Sequence, residues 1–280
     1  MQVKRAATIT AAFLSLACLI SYLMSPAWAW NPTEMQDLPG TDNSTDYDVS
    51  GANGRFNIYT ASGTNGLQVG EDGDSIAFLI KLANSSEPGN RFAIQNLATG
   101  DQYEVDFTIG NYTFVILFRA IIIRLFIITI RIGTCSLYYK LASGGSWSSA
   151  EYYLRMGLTS GTTYTSANGN IGFALTNATS TSPGSVKFII KKQRLYNLGA
   201  RGNLVSDIYA LATANGNGWP GGGVSQPNDR CPSTGGASWT LQGDIPDLPM
   251  GILILTLPLI AIYIYISKHT RMIHGSKITH

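Results

Sequence analysis

The chain has 280 residues, only 13% of them charged, 30 glycines and a formal net charge of +2. That balance offers no broad basic surface to a polyanion, so no nucleic acid is an expected partner. The Asn, Ser, Thr, Gly and Tyr content of its middle suits an exported, turn-rich β-protein. The small net figure hides an asymmetry. Glu34–Asp106 holds twelve acids and three bases, and Tyr112–Arg230 three acids and eleven bases, net −9 and +8. Such halves are either solvated faces or complementary surfaces for like subunits.

The first 29 residues have the three parts of a secretory signal. Lys4 and Arg5 are basic, Ala6–Met24 is apolar, and Pro26 ends the helix before Ala27-Trp28-Ala29. Signal peptidase is expected to read Ala27 and Ala29 and cut after Ala29. Cys18 lies inside the apolar core and lacks a lipoprotein context.

Residues 30–214 are expected to form an all-β, β-sandwich or jelly-roll-like ectodomain. Short runs read as strands at 55–60, 76–82, 91–97, 102–109, 151–156, 171–175, 186–191 and 207–212, with another at 238–241. Turn pairs such as Asn53-Gly54, Asp72-Gly73, Pro88-Gly89 and Asn168-Gly169 separate them. In QYEVDFTI, Tyr103, Val105, Phe107 and Ile109 share one face. Gln102, Glu104, Asp106 and Thr108 share the other, the period-two pattern of a half-buried strand.

Residues 112–134 do not match their surroundings. Phe114–Ile132 reads FVILFRAIIIRLFIITIRI. A membrane span there would cost about 2.5–3.5 kcal/mol at each of Arg119 and Arg124. It would also place the basic carboxyl tail outside, against the positive-inside rule. A pair of buried strands is the expected reading, although no turn residue divides the run. A membrane span, and a block produced by two compensating frameshifts, are the alternatives.

Residues 215–247 are rich in Gly, Pro and Ser and read as a stalk, although Trp219, Cys231 and Trp239 argue that part of it packs. Residues 248–266 carry no charge and are near the minimum length for a transmembrane helix. The tail, 267–280, contains Lys268, Arg271 and Lys277 and fits the cytoplasm. The expected topology is a single-pass envelope protein with its bulk outside. The segment Pro246-Asp247-Leu248-Pro249-Met250-Gly251, its hydrophobic run and its basic end resemble prokaryotic C-terminal sorting signals of the LPXTG sortase and PEP-CTERM exosortase classes. The resemblance covers about the last 35 residues, without a Thr-Gly after Leu-Pro and without Pro-Glu-Pro. It implies a sortase-like processing enzyme and a surface-attached or released product. A plain membrane stop with a stiff proline spacer is the other reading.

The three histidines, His269, His274 and His280, all lie in the tail. Histidine-dependent nucleophilic and zinc chemistry is therefore excluded from the ectodomain. Carboxylate-pair hydrolysis remains open, but no pair stands out by spacing, so no enzymatic activity is expected. No cofactor is expected, except that Asp42, Asp46 and Asp48, and Glu71, Asp72 and Asp74, have the oxygen ligands of calcium loops without EF-hand spacing. Tyr152, Tyr153, Tyr164, Tyr196, Tyr209, Trp147 and Trp219 are either core residues or a surface for stacking on polysaccharide. Cys135 and Cys231 are candidates for a disulfide outside the cytoplasm. The reading that results is a non-enzymatic surface protein, structural or adhesive. A carbohydrate-binding module and a carboxylate-dependent glycan hydrolase are the alternatives.

Overall fold

The computed structural model describes residues 35–38, 54–58, 66–83, 91–221, 229–232 and 235–242. Strands are numbered in chain order. The first sheet holds β1 (Met35–Asp37), β2 (Leu67–Glu71), β3 (Ser75–Leu82), β8 (Thr163–Thr165), β9 (Ile171–Thr176) and β10 (Gly184–Lys191), in the order β1-β2-β3-β10-β9-β8. The second holds β4 (Gln102–Ile109), β5 (Tyr112–Leu125), β6 (Ile128–Leu141), β7 (Ser148–Met156), β11 (Leu204–Thr213) and β12 (Asp229–Cys231). Its order is β12-β11-β4-β5-β6-β7, and β13 (Ala237–Thr240) also pairs with β11. Every strand pair is antiparallel. The only α-helix among the described residues is α1 (Lys192–Asn197). The all-β expectation holds.

Alternation builds the core. Ile76, Phe78 and Ile80 of β3, Tyr103, Val105 and Phe107 of β4, and Ile171, Phe173 and Leu175 of β9 all point inward and are buried. Phe78 meets Phe107 at 4.9 Å and Phe118 meets Phe173 at 5.1 Å between ring centroids, which joins the two sheets.

Two expected strands are corrected. Within 55–60, Gly54–Phe56 is a 3-10 turn and Ile58 forms one bridge to Leu82. Within 91–97, Ile94–Asn96 is a 3-10 turn. Side chains replace the ladder there. The Ile94 amide donates to Asn177 Oδ1 at 2.9 Å, and Asn96 Nδ2 donates to the Arg91 carbonyl at 3.0 Å. Backbone groups satisfied this way have no need of a neighbouring strand.

The 112–134 segment is one long hairpin, with β5 and β6 in register from Tyr112↔Leu141 to Leu125↔Ile128. Its run of β-branched and aromatic residues suits a pleated ladder. The turn is Phe126-Ile127, and Phe126 adopts φ 49° without being glycine. Only the base of the hairpin is buried, so the expectation of buried strands is half right. Phe114–Phe118 are inside, whereas Ile123, Leu125, Phe126, Ile127 and Ile128 are exposed.

The stalk expectation for 215–247 is corrected for its described part. Residues 229–231 and 237–240 add β12 and β13 to the second sheet, and residues 215–221 lie across that sheet. The signal peptide with Ala27 and Ala29, the Pro246–Gly251 motif, the hydrophobic run 248–266 and the tail lie outside the described residues. Among the described residues, no helix is long and apolar enough to cross a membrane.

Candidate functional site

The outer face of the second sheet is set by register. Three rows of side chains cross it: Thr213–Gln102–Arg119–Thr134–Leu154, Leu211–Glu104–Leu117–Ser136–Tyr152, and Tyr209–Asp106–Val115–Tyr138–Ser149. Gln102, Glu104 and Asp106, which alternation assigns to the solvent side of a half-buried strand, are buried. The chain from Asn215 to Gly221 lies over Gln102 and Glu104, and Asp106 is joined to the Tyr209 hydroxyl.

This strap is held by side chains of the sheet. Gln102 Oε1 accepts the Gly218 amide at 3.0 Å, and Gln102 Nε2 donates to the Trp219 carbonyl at 3.1 Å. Arg119 Nε donates to the Gly216 carbonyl at 2.9 Å, and the Tyr138 hydroxyl to the Gly218 carbonyl at 2.8 Å. Glu104 Oε1 accepts the Gly221 amide at 3.0 Å, and its Oε2 accepts Gln102 Nε2 at 2.9 Å. The glycines have a steric reason. A Cβ on Gly216 would stand 2.4 Å from Gln102 Oε1, and Gly218 has φ +82°.

Burial pushes the Glu104 carboxyl up to about 8, and the charge of neighbouring Asp106 adds to the rise. The Gly221 amide and Gln102 oppose it. Asp106 is also raised, again by burial, against the Tyr209 hydrogen bond and the Arg230 and Lys140 charges. Its Oδ2 accepts the Tyr209 hydroxyl at 2.5 Å, while Oδ1 has no hydrogen-bond partner among the described residues. Burial and Asp106 hold the Tyr209 hydroxyl far above its usual range, so it stays a donor. The pair thus shares one side of one strand, and Glu104 already has both oxygens occupied by the protein itself.

Aromatics frame the strap. Trp219 is 47% exposed and meets the Tyr138 ring at 5.1 Å. Trp147 packs on the small cluster of Val115, Leu117 and Tyr138, with Lys140 Nζ 4.4 Å from its ring. Tyr152 is exposed on the same face. The remaining candidates are elsewhere or committed. Tyr164 is buried and Tyr153 packs on Phe173. Arg201 covers Tyr196 at 3.9 Å, and Arg230 covers Tyr209 at 4.3 Å.

The side chains of Glu71 and Asp72 in the described acidic loop are engaged within the fold. Glu71 forms a buried ion pair with Lys192 and accepts the Gln242 amide at 2.9 Å. Asp72 Oδ1 accepts the Asp74 and Ser75 amides and closes the β2–β3 turn, and Asp74 is exposed. Among the described residues, no three His, Cys, Asp or Glu side chains converge as metal ligands. Asp42, Asp46 and Asp48 lie outside the described residues.

Cys135 and Cys231 are both buried, and the candidate disulfide between them is not formed. Strands β11, β4 and β5 stand between β12 and β6. Four strand spacings put them about 19 Å apart, against the roughly 7 Å Cα limit for a disulfide. Burial also pushes the Cys135 thiol far up, so it is inert.

Alternation alone does not reveal that Gln102, Glu104 and Asp106 are buried. The signal was the glycine-rich NGNGWPGGG, which permits the close approach of a covering strap. No protein family, curated protein or solved structure matches the chain.

Proposed function

We propose that this is a non-enzymatic cell-envelope surface protein whose β-rich ectodomain works by contact, in a structural or adhesive role. One observation carries the reading. On the outer face of the second sheet the Glu104 and Asp106 carboxylates are buried and hydrogen-bonded within the protein, while Tyr152, Leu154, Met156 and Trp219 are exposed. A surface of that kind binds by burying apolar area. Two antiparallel sheets, with the chain passing between them at β3–β4, β7–β8 and β10–β11, support a β-sandwich or jelly-roll-like ectodomain. Export by the 29-residue signal and retention through the 248–266 run complete the proposal.

The intact mass of the protein from its native membrane and medium tests the envelope part. Loss of the first 29 residues with the tail retained supports a plain anchor. Loss of everything after Pro246–Gly251 as well supports sortase-like processing. An uncut amino end in a cytoplasmic fraction would sink the proposal.

A second reading is favoured by Trp219 and Tyr152, which are exposed on one face at 47% and 59%. Such rings stack on sugars, and a carbohydrate-binding module would be retained on a polysaccharide column. That retention would be lost in Trp219→Ala or Tyr152→Ala. The hydrolase reading needs Glu104 and Asp106 to reach a substrate, and turnover of glycans by the purified protein, abolished in Glu104→Gln, would establish it.

A further inference from the structure

The free end of the β5–β6 hairpin is two-faced. On the outer side the last three rungs are Ile121↔Ile132, Ile123↔Ile130 and Leu125↔Ile128, all aliphatic. On the other side stand Arg124, opposite Thr129, and Arg131, opposite Ile122. Between Phe107 and Ala150 the sequence contains no acidic residue, so nothing on the hairpin neutralises these arginines. At the turn, Phe126 and Ile127 are 108% and 98% exposed. The last lateral ties to the sandwich are Thr99 Oγ1 with the Ile122 backbone, the Arg131 side chain with the Gln95 carbonyl, and the Arg131 carbonyl with the Gly157 amide. From Ile123 onward the end stands free, a projection of about 10 Å at 3.3 Å per residue.

We propose that this end, residues 123–131, is a membrane-contact element that lies in the surface of an anionic lipid bilayer. Its aliphatic face and the Phe126-Ile127 turn enter the boundary of the acyl chains. Arg124, exposed on the opposite face, reaches the lipid phosphates, while Arg131 holds the base of the free end to the Gln95 carbonyl and adds its charge from there. The arrangement is the strand counterpart of an amphipathic helix, with apolar and basic residues on opposite faces and burial of about 5–10 Å. The free end, about 10 Å long, falls far short of the roughly 30 Å hydrocarbon core, so it rests in one leaflet without spanning it. Charge decides the partner: a basic face with no acid of its own is attracted to anionic headgroups and repels a second copy of itself. Phe126 in the left-handed region is further support, because strain kept in an exposed aromatic turn points to a use for that turn. The inference stands on the hairpin and does not depend on how the protein is exported.

The test uses the full chain with an environment-sensitive fluorophore at Ile127→Cys in a Cys18→Ser background, since Cys135 and Cys231 are buried. A second sample carries the label at Ala142→Cys, exposed at the other end of β6. The hydrophobic carboxyl run is present in both, so its effect cancels. With phosphatidylcholine vesicles containing phosphatidylglycerol, emission at 127 should shift to the blue and be quenched by spin labels on the acyl chains. Emission at 142 should not. Arg124→Glu, a change of two charges, should weaken the vesicle affinity of the 127 signal about thirtyfold, and Arg124→Lys should keep it. Three results would overturn the proposal: no quenching at 127; equal quenching on pure phosphatidylcholine; or a lipid-free shift that grows with protein concentration, which would mark a contact between copies.

Discussion

The outer face of the second sheet has two halves with opposite character. Over β4, polar side chains are buried: Gln102 and Glu104 lie under the strap, and Asp106 is bonded to Tyr209. At the end of β5 and β6, apolar side chains are exposed among the described residues: Ile123, Leu125 and Ile128 are 40%, 52% and 58% accessible. Both halves follow the same alternation on adjoining strands. Side-chain direction is therefore a property of the strand, whereas burial belongs to whatever lies above it. The buried half is held by directed hydrogen bonds, each worth little net but costly to leave half-made. The exposed half keeps apolar area available for a partner.

The largest effect should come from closing the gap beneath the strap. Gly216→Val places side-chain atoms where Gln102 stands, and should cost about 3 kcal/mol in urea unfolding. A cost near zero would show that the strap lifts easily and that the polar half is not truly covered. Gln102→Ala comes next, at about 2 kcal/mol, since it strands the Gly218 amide and the Trp219 carbonyl at once.

Glu104→Gln sharpens the same half through pH. The folded pKa of Glu104 is raised above its unfolded value of about 4, so the native state holds the proton more tightly. Its contribution is then fully present below pH about 4 and is lost as pH rises towards about 8. Unfolding free energy of the native sequence should fall over that window, and Glu104→Gln should flatten the fall by about 1–3 kcal/mol. A slope of the opposite sign would mean that Glu104 is ionised beneath the strap.

The exposed half should respond weakly and in the other direction. Phe126→Gly relieves a left-handed backbone and should raise stability by about 1 kcal/mol, read as a higher melting temperature. Smallest of all, Leu125→Thr and Ile128→Thr should each change stability by less than about 0.5 kcal/mol. A loss above about 2 kcal/mol at either would mean that the hairpin end is core, and the contrast between the halves would fail.

Much of the fold was legible in the residues. Period-two runs at 76–82, 102–109, 171–175 and 186–191 appear as β3, β4, β9 and β10, because alternating apolar side chains on an extended chain demand a sheet with one face covered. The 91–97 run misled because Asn177, far along the chain, satisfies its backbone. The 112–134 run hid its turn because Phe126-Ile127 contains none of the usual turn residues. In the candidate site, Trp219 and Tyr152 were singled out by residue type, but Gln102, Glu104 and Asp106 were placed on the wet side of β4. Composition and periodicity are local, so they were enough for most of the strands and their inward faces, and for the position of all three histidines after residue 266. Which face is roofed, which carboxyls lose their water and which cysteines stay apart depend on contacts between distant segments. The strap from Asn215 meets Gln102 across more than a hundred residues of sequence, and only packing brings the two together.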